Sequence, residues 1–348
     1  VTDVDVLVAG GGPVGLVAAL EARLAGLSVL VVEPRPVPVD KACGEGLMPR
    51  AVEALARLGV DPVGSPLAGI AYVRDDLRAE HRFVGPPGRG VRRTTLHAAL
   101  ATRAEALGVQ RAAGRVTDVR QDRDGVTAAG TRARWLLGCD GLHSTVRRAV
   151  GLEGGGPPGR GRSGRAGGRR RYGVRRHYRV APWTDLVEVH WGRRAEAYVT
   201  PVSPGLVGVA LLGPAPLDVD AELAGMPALA RRLAGAPVDA ADRGAGPLRQ
   251  RTRARTSGRV LLVGDASGYV DALTGEGLRL GFAQARAAVA HLDDPAGYER
   301  AWSRETRDYR HLTSTLVAAA TSPLRGALVP AAVRLPSLFA AGVERLAR

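Results

Sequence analysis

An apolar run at Val4–Ala9 leads into Gly10, Gly12 and Gly15 at the spacing G-x-G-x-x-G. A helical pattern then extends to about residue 26, and a second apolar run, Ser28–Val32, closes on Glu33. This combination restricts the chain to a parallel βαβ unit that binds a dinucleotide. Gly10 permits the tight turn out of the strand, Gly12 lets backbone approach a pyrophosphate, and Gly15 lets the helix predicted over 13–26 pack on the sheet. The phosphates then meet a helix N-terminus, where free N–H groups and the helix dipole favour negative charge. Glu33 is placed to accept hydrogen bonds from the two hydroxyls of a ribose.

The 348 residues suffice for one large domain or two interleaved ones. Hydrophobic content is 45%, as in a folded soluble protein, although only 4% of residues are aromatic. A net charge of +15 raises the question of nucleic acid or an anionic membrane. The cations are spread along the chain, almost all are Arg with Lys41 the only lysine, and no basic helix carries interleaved stacking aromatics. No nucleic-acid partner is therefore expected. Cys43 and Cys139 form no CxxC pair and imply no disulfide framework, and the opening on a core strand leaves no signal peptide, so a cytoplasmic location is expected. The longest uncharged stretch of the tail, near His311–Leu324, is cut by Pro323 and is too short to span a membrane.

Breaks in pattern suggest the organisation. A helix is expected at about 93–108, followed by a small hairpin layer over Gly114–Val119 with a turn at Asp124-Gly125. Residues 154–171 are Gly, Pro and Arg almost throughout and read as a flexible insert. Tyr172–Val180, Asp185–Trp191, Ala195–Thr200 and Leu206–Leu212 are alternating or β-rich and read as one antiparallel sheet. A strand at 259–263 returns to the nucleotide-binding part, and the remainder is Ala- and Leu-rich helix. The expected fold class is α/β: a Rossmann-like domain over 1–70, 91–153 and 250–292, interleaved with a substrate domain of antiparallel sheet over 71–90 and 172–249, with C-terminal helices over 293–348.

Two further motifs narrow the dinucleotide to a flavin. Gly138-Cys139-Asp140-Gly141 follows the apolar strand Trp135–Leu137 and runs on to Arg147-Arg148. Val260–Val263 leads into Gly264-Asp265 and then Leu273-Thr274-Gly275-Glu276-Gly277, at the start of a helix. Asp265 at a strand's carboxyl end can accept from ribityl hydroxyls, while the Gly275–Gly277 turn points N–H donors at a ring carbonyl. That donor suits the negative charge that develops on a reduced flavin.

With these motifs in place, residues 1–292 resemble the FAD-dependent oxidoreductases that include the single-component aromatic hydroxylases, the geranylgeranyl reductases and the flavin halogenases. The resemblance implies FAD bound by Gly10, Gly12, Pro13, Gly15, Glu33, Arg35, Val116, Asp140, Asp265, Gly275, Glu276 and Gly277. It also implies a cofactor contact for Arg93, which by position alone serves equally as a surface charge at a helix start. The segment Asp40–Pro49, which holds Lys41, Cys43 and Gly44, resembles the geranylgeranyl-reductase branch, as does Thr274–Gly277. Cys43 is a candidate near-flavin residue or a small packing residue. The absence of a Trp-x-Trp-x-Ile-Pro stretch disfavours a halogenase.

Taken together, the pattern resembles the FAD monooxygenases that accompany type III polyketide synthases. On that resemblance NADPH or NADH reduces the flavin, O₂ is the oxidant, and a lipophilic phenol is hydroxylated. The alternative is a geranylgeranyl-reductase-like enzyme that reduces isoprenoid double bonds. His177, Tyr178, His190 and Tyr198 lie on the proposed sheet, but none is singled out as a catalytic base. The apolar tail, 313–348, with Arg325, Arg334, Arg345 and Arg348 at its edges, is expected to help form a lipophilic substrate channel and to make weak peripheral membrane contact.

Overall fold

A computed structural model describes residues 2–154 and 170–347; the expected insert falls almost wholly outside them. At its edges Gly154 donates to the Arg251 carbonyl at 2.9 Å, and Arg171 begins a strand with its side chain buried. The described residues thus include Gly154, Arg170 and Arg171 of the 154–171 stretch.

Val4–Ala9 is the centre of the first sheet because all but one of its residues are buried. It pairs in parallel with Val29–Val32 on one side and Thr131–Gly138 on the other, and Gln110–Ala112 and Val260–Leu262 extend the sheet outward in parallel. Such a sheet is covered on both faces, which explains the unbroken apolar runs. Helices Pro13–Leu24, Arg93–Ala106 and Gly277–Ala290 supply one cover, with Leu16, Leu20, Leu100 and Phe282 in the core. Val126–Ala128 and Arg120–Gln121 add an antiparallel hairpin, whereas the Gly114–Val119 stretch expected in that layer is not strand.

The second sheet runs in the order Arg243–Ala245, Arg171–Tyr178, Leu206–Pro214, Glu196–Ser203, Leu186–Trp191, Gly69–Arg74, Leu77–Arg82. All neighbours are antiparallel except Leu186–Trp191 with Gly69–Arg74. Gly69 and Ile70 thus pair in this sheet rather than with the nucleotide-binding part. Gly88–Gly90 leaves it for a small third sheet with Gly46–Leu47 and Ser65–Leu67.

The long helix Pro295–Ala320 returns to the first sheet: Tyr298 donates its hydroxyl to the Leu262 carbonyl at 2.7 Å, and Trp302 donates to Ser267 Oγ at 2.8 Å. A 97° bend separates it from residues Pro323–Arg334, and among the described residues no single helix is long and apolar enough to cross a membrane. The tail that follows packs on the second sheet, where Val329, Val343, Leu346 and Phe339 meet Ile70, Val187, Trp191 and Tyr72.

Candidate functional site

Each glycine of the first turn is constrained differently. At Gly10, φ is +98° and a Cβ would lie 2.6 Å from the Cys139 carbonyl oxygen, so only glycine fits. A Cβ on Gly15 would overlap the Gly10 carbonyl oxygen, which lets helix Pro13–Leu24 sit against the strand end. Gly12 differs from both. A Cβ there would meet nothing within 4 Å, and Gly12 caps a helix whose first N–H groups receive no side-chain cap. Open space in front of free helix N–H groups is a cradle for an anion.

That cradle opens into a cleft of about 420 Å³ lined by Gly10, Gly12, Pro13, Glu33, Arg35, Lys41, Arg93, Val116, Asp140 and Asp265, with Gly141, Leu142 and Thr145. Asp140 Oδ2 accepts from the N–H groups of Thr145 at 2.7 Å and Val146 at 3.1 Å, capping the short helix Thr145–Ala149. Its Oδ1 is buried without a hydrogen-bond partner, as is Arg93 Nε. Two buried polar atoms left unmatched beside a cleft are costly unless a ligand meets them.

Arg147, buried in the same motif, donates to the carbonyls of Leu142 and Ala266. It thereby ties the Asp140 turn to the Asp265 turn. His97 donates from Nε2 to the Gly11 carbonyl at 2.8 Å, while Glu33 Oε2 accepts from the Gly11 N–H at 2.9 Å, so the Gly11 residue is clamped at both its N–H and its C=O. Burial, reinforced by Arg93 and Arg111, holds the His97 imidazole below its usual range. Neither Arg147 nor His97 was singled out from sequence. His97 falls one turn after Arg93 on the helix face of Leu96 and Leu100, where a core residue reads the same.

Glu33 departs from expectation. Besides Gly11, its carboxylate accepts from the Arg35 N–H at 3.1 Å, Nε at 2.7 Å and Nη2 at 3.2 Å. Burial raises its pKa, but Arg35 and the two N–H donors outweigh that and keep it low. A carboxylate has about four acceptor positions and the chain itself fills them, so a ribose engages Glu33 only by displacing Arg35. Glu276 departs too: its side chain ion-pairs with Arg279 at 2.7 Å and faces away from the cleft. Its neighbours Gly275 and Gly277 remain at the site, and helix Gly277–Ala290 begins there without a side-chain cap.

A second cavity, of about 200 Å³, adjoins the cleft; Val14, Lys41, Arg93, Leu142 and Asp265 line both. Its wall includes Met48, Val187, Leu212, Leu248 and Leu278, with Cys43, Gly44, Thr200 and Tyr198 among the polar positions. The Lys41 ammonium lies 3.9 Å from Asp265 Oδ2 and is 33% exposed. Cys43 Sγ accepts from the Glu45 N–H at 3.4 Å, so its thiol lines the cavity and also supports the turn. Tyr198 donates to the Leu273 carbonyl at 2.7 Å, and burial, then Glu196, raise its phenol well above the ordinary range.

The other sheet candidates are elsewhere. His177 is buried against Glu45, His190 accompanies Glu188 and Trp183 on a different cavity, and Tyr178 packs with Val219, Leu223 and Leu229. Among the described residues none beyond Leu278 lines the cavity, so the expected contribution of the C-terminal tail to the channel is corrected: the tail packs beside the cavity on the same face of the second sheet, where Val187 and Tyr198 meet both. Arg325 and Arg345 are engaged by Glu196 and Asp308.

A family model described as an FAD binding domain matches residues 3–166. The cofactor is FAD, and the open cradle at Gly12 with the unmatched Asp140 Oδ1 and Arg93 Nε fits it. Over 173 residues the FAD-binding chain is 38% identical to a rifampicin monooxygenase of Streptomyces venezuelae, covering 45% of this chain and 36% of the relative. It is 54% identical to a menaquinone reductase of Mycolicibacterium smegmatis over 59 residues, 17% of this chain and 14% of the relative. The chain spans little more than a third of the first of these relatives and less of the second. Among solved structures, the anhydrotetracycline hydroxylase OxyS of Streptomyces rimosus superposes with a TM-score of 0.73 at 24% identity, covering 99% of this chain and 75% of that one. The fold is therefore that of the flavin-dependent hydroxylases.

Proposed function

We propose that this chain is an FAD-dependent monooxygenase that takes reducing equivalents from NADPH or NADH and uses O₂ to hydroxylate a lipophilic, polyketide-type phenol. The observation that carries this reading is the mainly apolar cavity of about 200 Å³ that opens onto the FAD cleft through Lys41, Arg93 and Asp265. The similarity to rifampicin monooxygenase supports it. FAD, when bound, supplies the redox chemistry.

The chain's own residues divide the remaining work. With FAD bound, Gly12 and the helix behind it would hold the pyrophosphate, Asp140 Oδ1 would accept a hydrogen bond from the cofactor, and the uncapped helix start at Gly275 and Gly277 would offer N–H donors. The leucine, valine and methionine wall excludes water from the substrate. Electron-rich character in the substrate ring increases as its hydroxyl ionises, and Lys41 and Arg93 are cations with unspent donors at the junction of cleft and cavity. Tyr198 is held neutral and serves as a wall, not a base. The exposed Leu324, Leu335 and Leu338 support weak peripheral membrane contact at the tail, through which a lipophilic substrate would arrive.

The test is NAD(P)H oxidation together with O₂ uptake by the FAD-loaded protein, with alkylresorcinols and with geranylgeranyl substrates. Phenol-dependent O₂ uptake with hydroxylated product is expected. A second reading, an FAD-dependent reductase of isoprenoid double bonds, is favoured by the segment 54% identical to menaquinone reductase. Product formed anaerobically from an isoprenoid, with no phenol-dependent O₂ uptake, would replace the first reading by the second.

A further inference from the structure

We propose that Glu45 is a positioning residue that fixes the turn Lys41–Gly46, which lines the substrate cavity, between the FAD-binding domain and the second sheet. Glu45 sits at φ 61°, in the left-handed region that a glutamate adopts only under constraint, and its side chain is fully buried. Its backbone N–H donates to Cys43 Sγ at 3.4 Å, and its carbonyl accepts from the Val91 N–H at 2.8 Å. Oε1 accepts from the Arg93 N–H at 2.8 Å, and Oε2 is 2.6 Å from His177 Nε2.

The contact with Arg93 is a helix cap supplied from outside. Helix Arg93–Ala106 has no side-chain cap of its own, and the Glu45 carboxylate meets its first N–H. On the opposite side, Arg175 reaches Glu45 Oε1 at 3.6 Å and Asp40 Oδ1 at 2.6 Å, and so holds both ends of the turn. Thr200 donates to the Gly44 carbonyl at 2.8 Å between them. Strand Arg171–Tyr178 and strand Glu196–Ser203 therefore anchor the turn from the substrate side, and the helix start anchors it from the FAD side. The carboxylate has no exposed surface, so it acts through the turn and not on the substrate. A buried charge held this way favours one arrangement over others because any alternative leaves it unpaired. The proposal stands whichever reaction the cavity performs.

Because Lys41 is the only lysine, a lysine-specific protease cuts this chain only after residue 41, within the turn. In FAD-free protein, Glu45→Ala is expected to speed that cut by about tenfold or more, because charge-assisted buried bonds that hold the turn closed are lost. Glu45→Gln, which keeps the shape and the acceptor for the Arg93 N–H, restores much of the protection, and His177→Gln falls between. In FAD-loaded protein the visible absorption of the flavin shifts in Glu45→Ala and returns in Glu45→Gln. FAD affinity falls far less than in Gly12→Val, since Glu45 supports the Arg93 end of the cleft and does not touch the cradle at Gly12. If Glu45→Ala does not fold, Glu45→Gln and His177→Gln carry the comparison. Cutting rates equal to the unsubstituted chain in the folded variants, or rates that rise only in step with global unfolding followed by circular dichroism, overturn the proposal.

Discussion

Replacing Gly12 by valine puts a branched side chain into the space that the phosphates of FAD must enter, and the surrounding structure indicates that the fold will tolerate it. Gly12 has φ −68° and ψ 174°, an extended conformation open to any residue, and a Cβ there meets nothing within 4 Å. The FAD-free variant should lose no more than about 1 kcal/mol, mostly from a poorer helix cap. The effect on FAD should be far larger. Excluding the pyrophosphate from the helix N–H groups removes at least two charge-assisted hydrogen bonds at about 1.5–3 kcal/mol each, which weakens FAD binding by roughly 10²–10⁴-fold. Gly15→Val is the contrasting variant, since its Cβ overlaps the Gly10 carbonyl oxygen and should destabilise the FAD-free fold by about 3 kcal/mol or more. Thermal melts of the FAD-free proteins and fluorescence titration with FAD separate the two effects. Normal FAD affinity in Gly12→Val would refute the phosphate site, and matched loss of stability in both variants would refute the steric argument.

Acid stability provides a second test. The folded state holds His97 neutral below the usual histidine range of about 6.5, so the unfolded chain takes up a proton first as pH falls. The stabilisation is complete above that value and declines as pH drops through it toward the folded pKa; His97→Gln should flatten this decline in melts from about pH 7.5 to 5, and an unchanged slope would show that His97 does not contribute. For substrates, a series of alkylresorcinols should show kcat/KM rising by up to about fourfold per buried methylene, at roughly 0.8 kcal/mol each, until the cavity is filled; a flat series would contradict a lipophilic cavity. Tyr198→Phe removes the hydrogen bond to the Leu273 carbonyl and should cost about 1–3 kcal/mol of stability. The pH profile of kcat should not move in that variant, because a phenol held so far above its ordinary range is not a base at neutral pH; a lost profile limb would make Tyr198 a participant.

The dinucleotide-binding unit was legible because each of its signals is local. Gly10, Gly12 and Gly15 meet their steric demands within one turn, and the apolar runs beside them need only the sheet they enter. Strand Arg171–Tyr178 was legible for the same reason, since alternation within a strand reports which face is covered, whereas Leu186–Trp191 and Leu206–Pro214 are covered on both faces and were legible only as β-rich apolar runs between breaks. Glu33 shows where local reading stops. Its place at the strand end is set by spacing, but only the folded chain reveals that Arg35, two residues on, has already filled its acceptors. The tail shows the limit from another direction. An apolar face edged by arginine describes a membrane-resting surface and a cover for a sheet equally well, and Tyr72 against Phe339 decides for the cover over much of its length.

The buried charges of strand Arg171–Tyr178 carry a signal that could have been used. Arg171, Arg175 and His177 alternate with partly exposed neighbours and share the covered face. Charged side chains on the covered face of a strand require acidic partners from elsewhere, because an unpaired buried charge is too costly to retain. That requirement predicts acidic partners without naming or counting them, and the fold supplies Glu196 and Asp271 for Arg171, and Asp40 and Glu45 for Arg175 and His177. Asp40 and Glu45 lie in the segment Asp40–Pro49, which resembles the geranylgeranyl-reductase branch, and they are distant in sequence from the strand that holds them. Spacing alone cannot pair residues across that distance, but the strand's parity shows that partners must exist. The positive φ of Glu45 between Gly44 and Gly46 then marks it as a turn position that must be held in place.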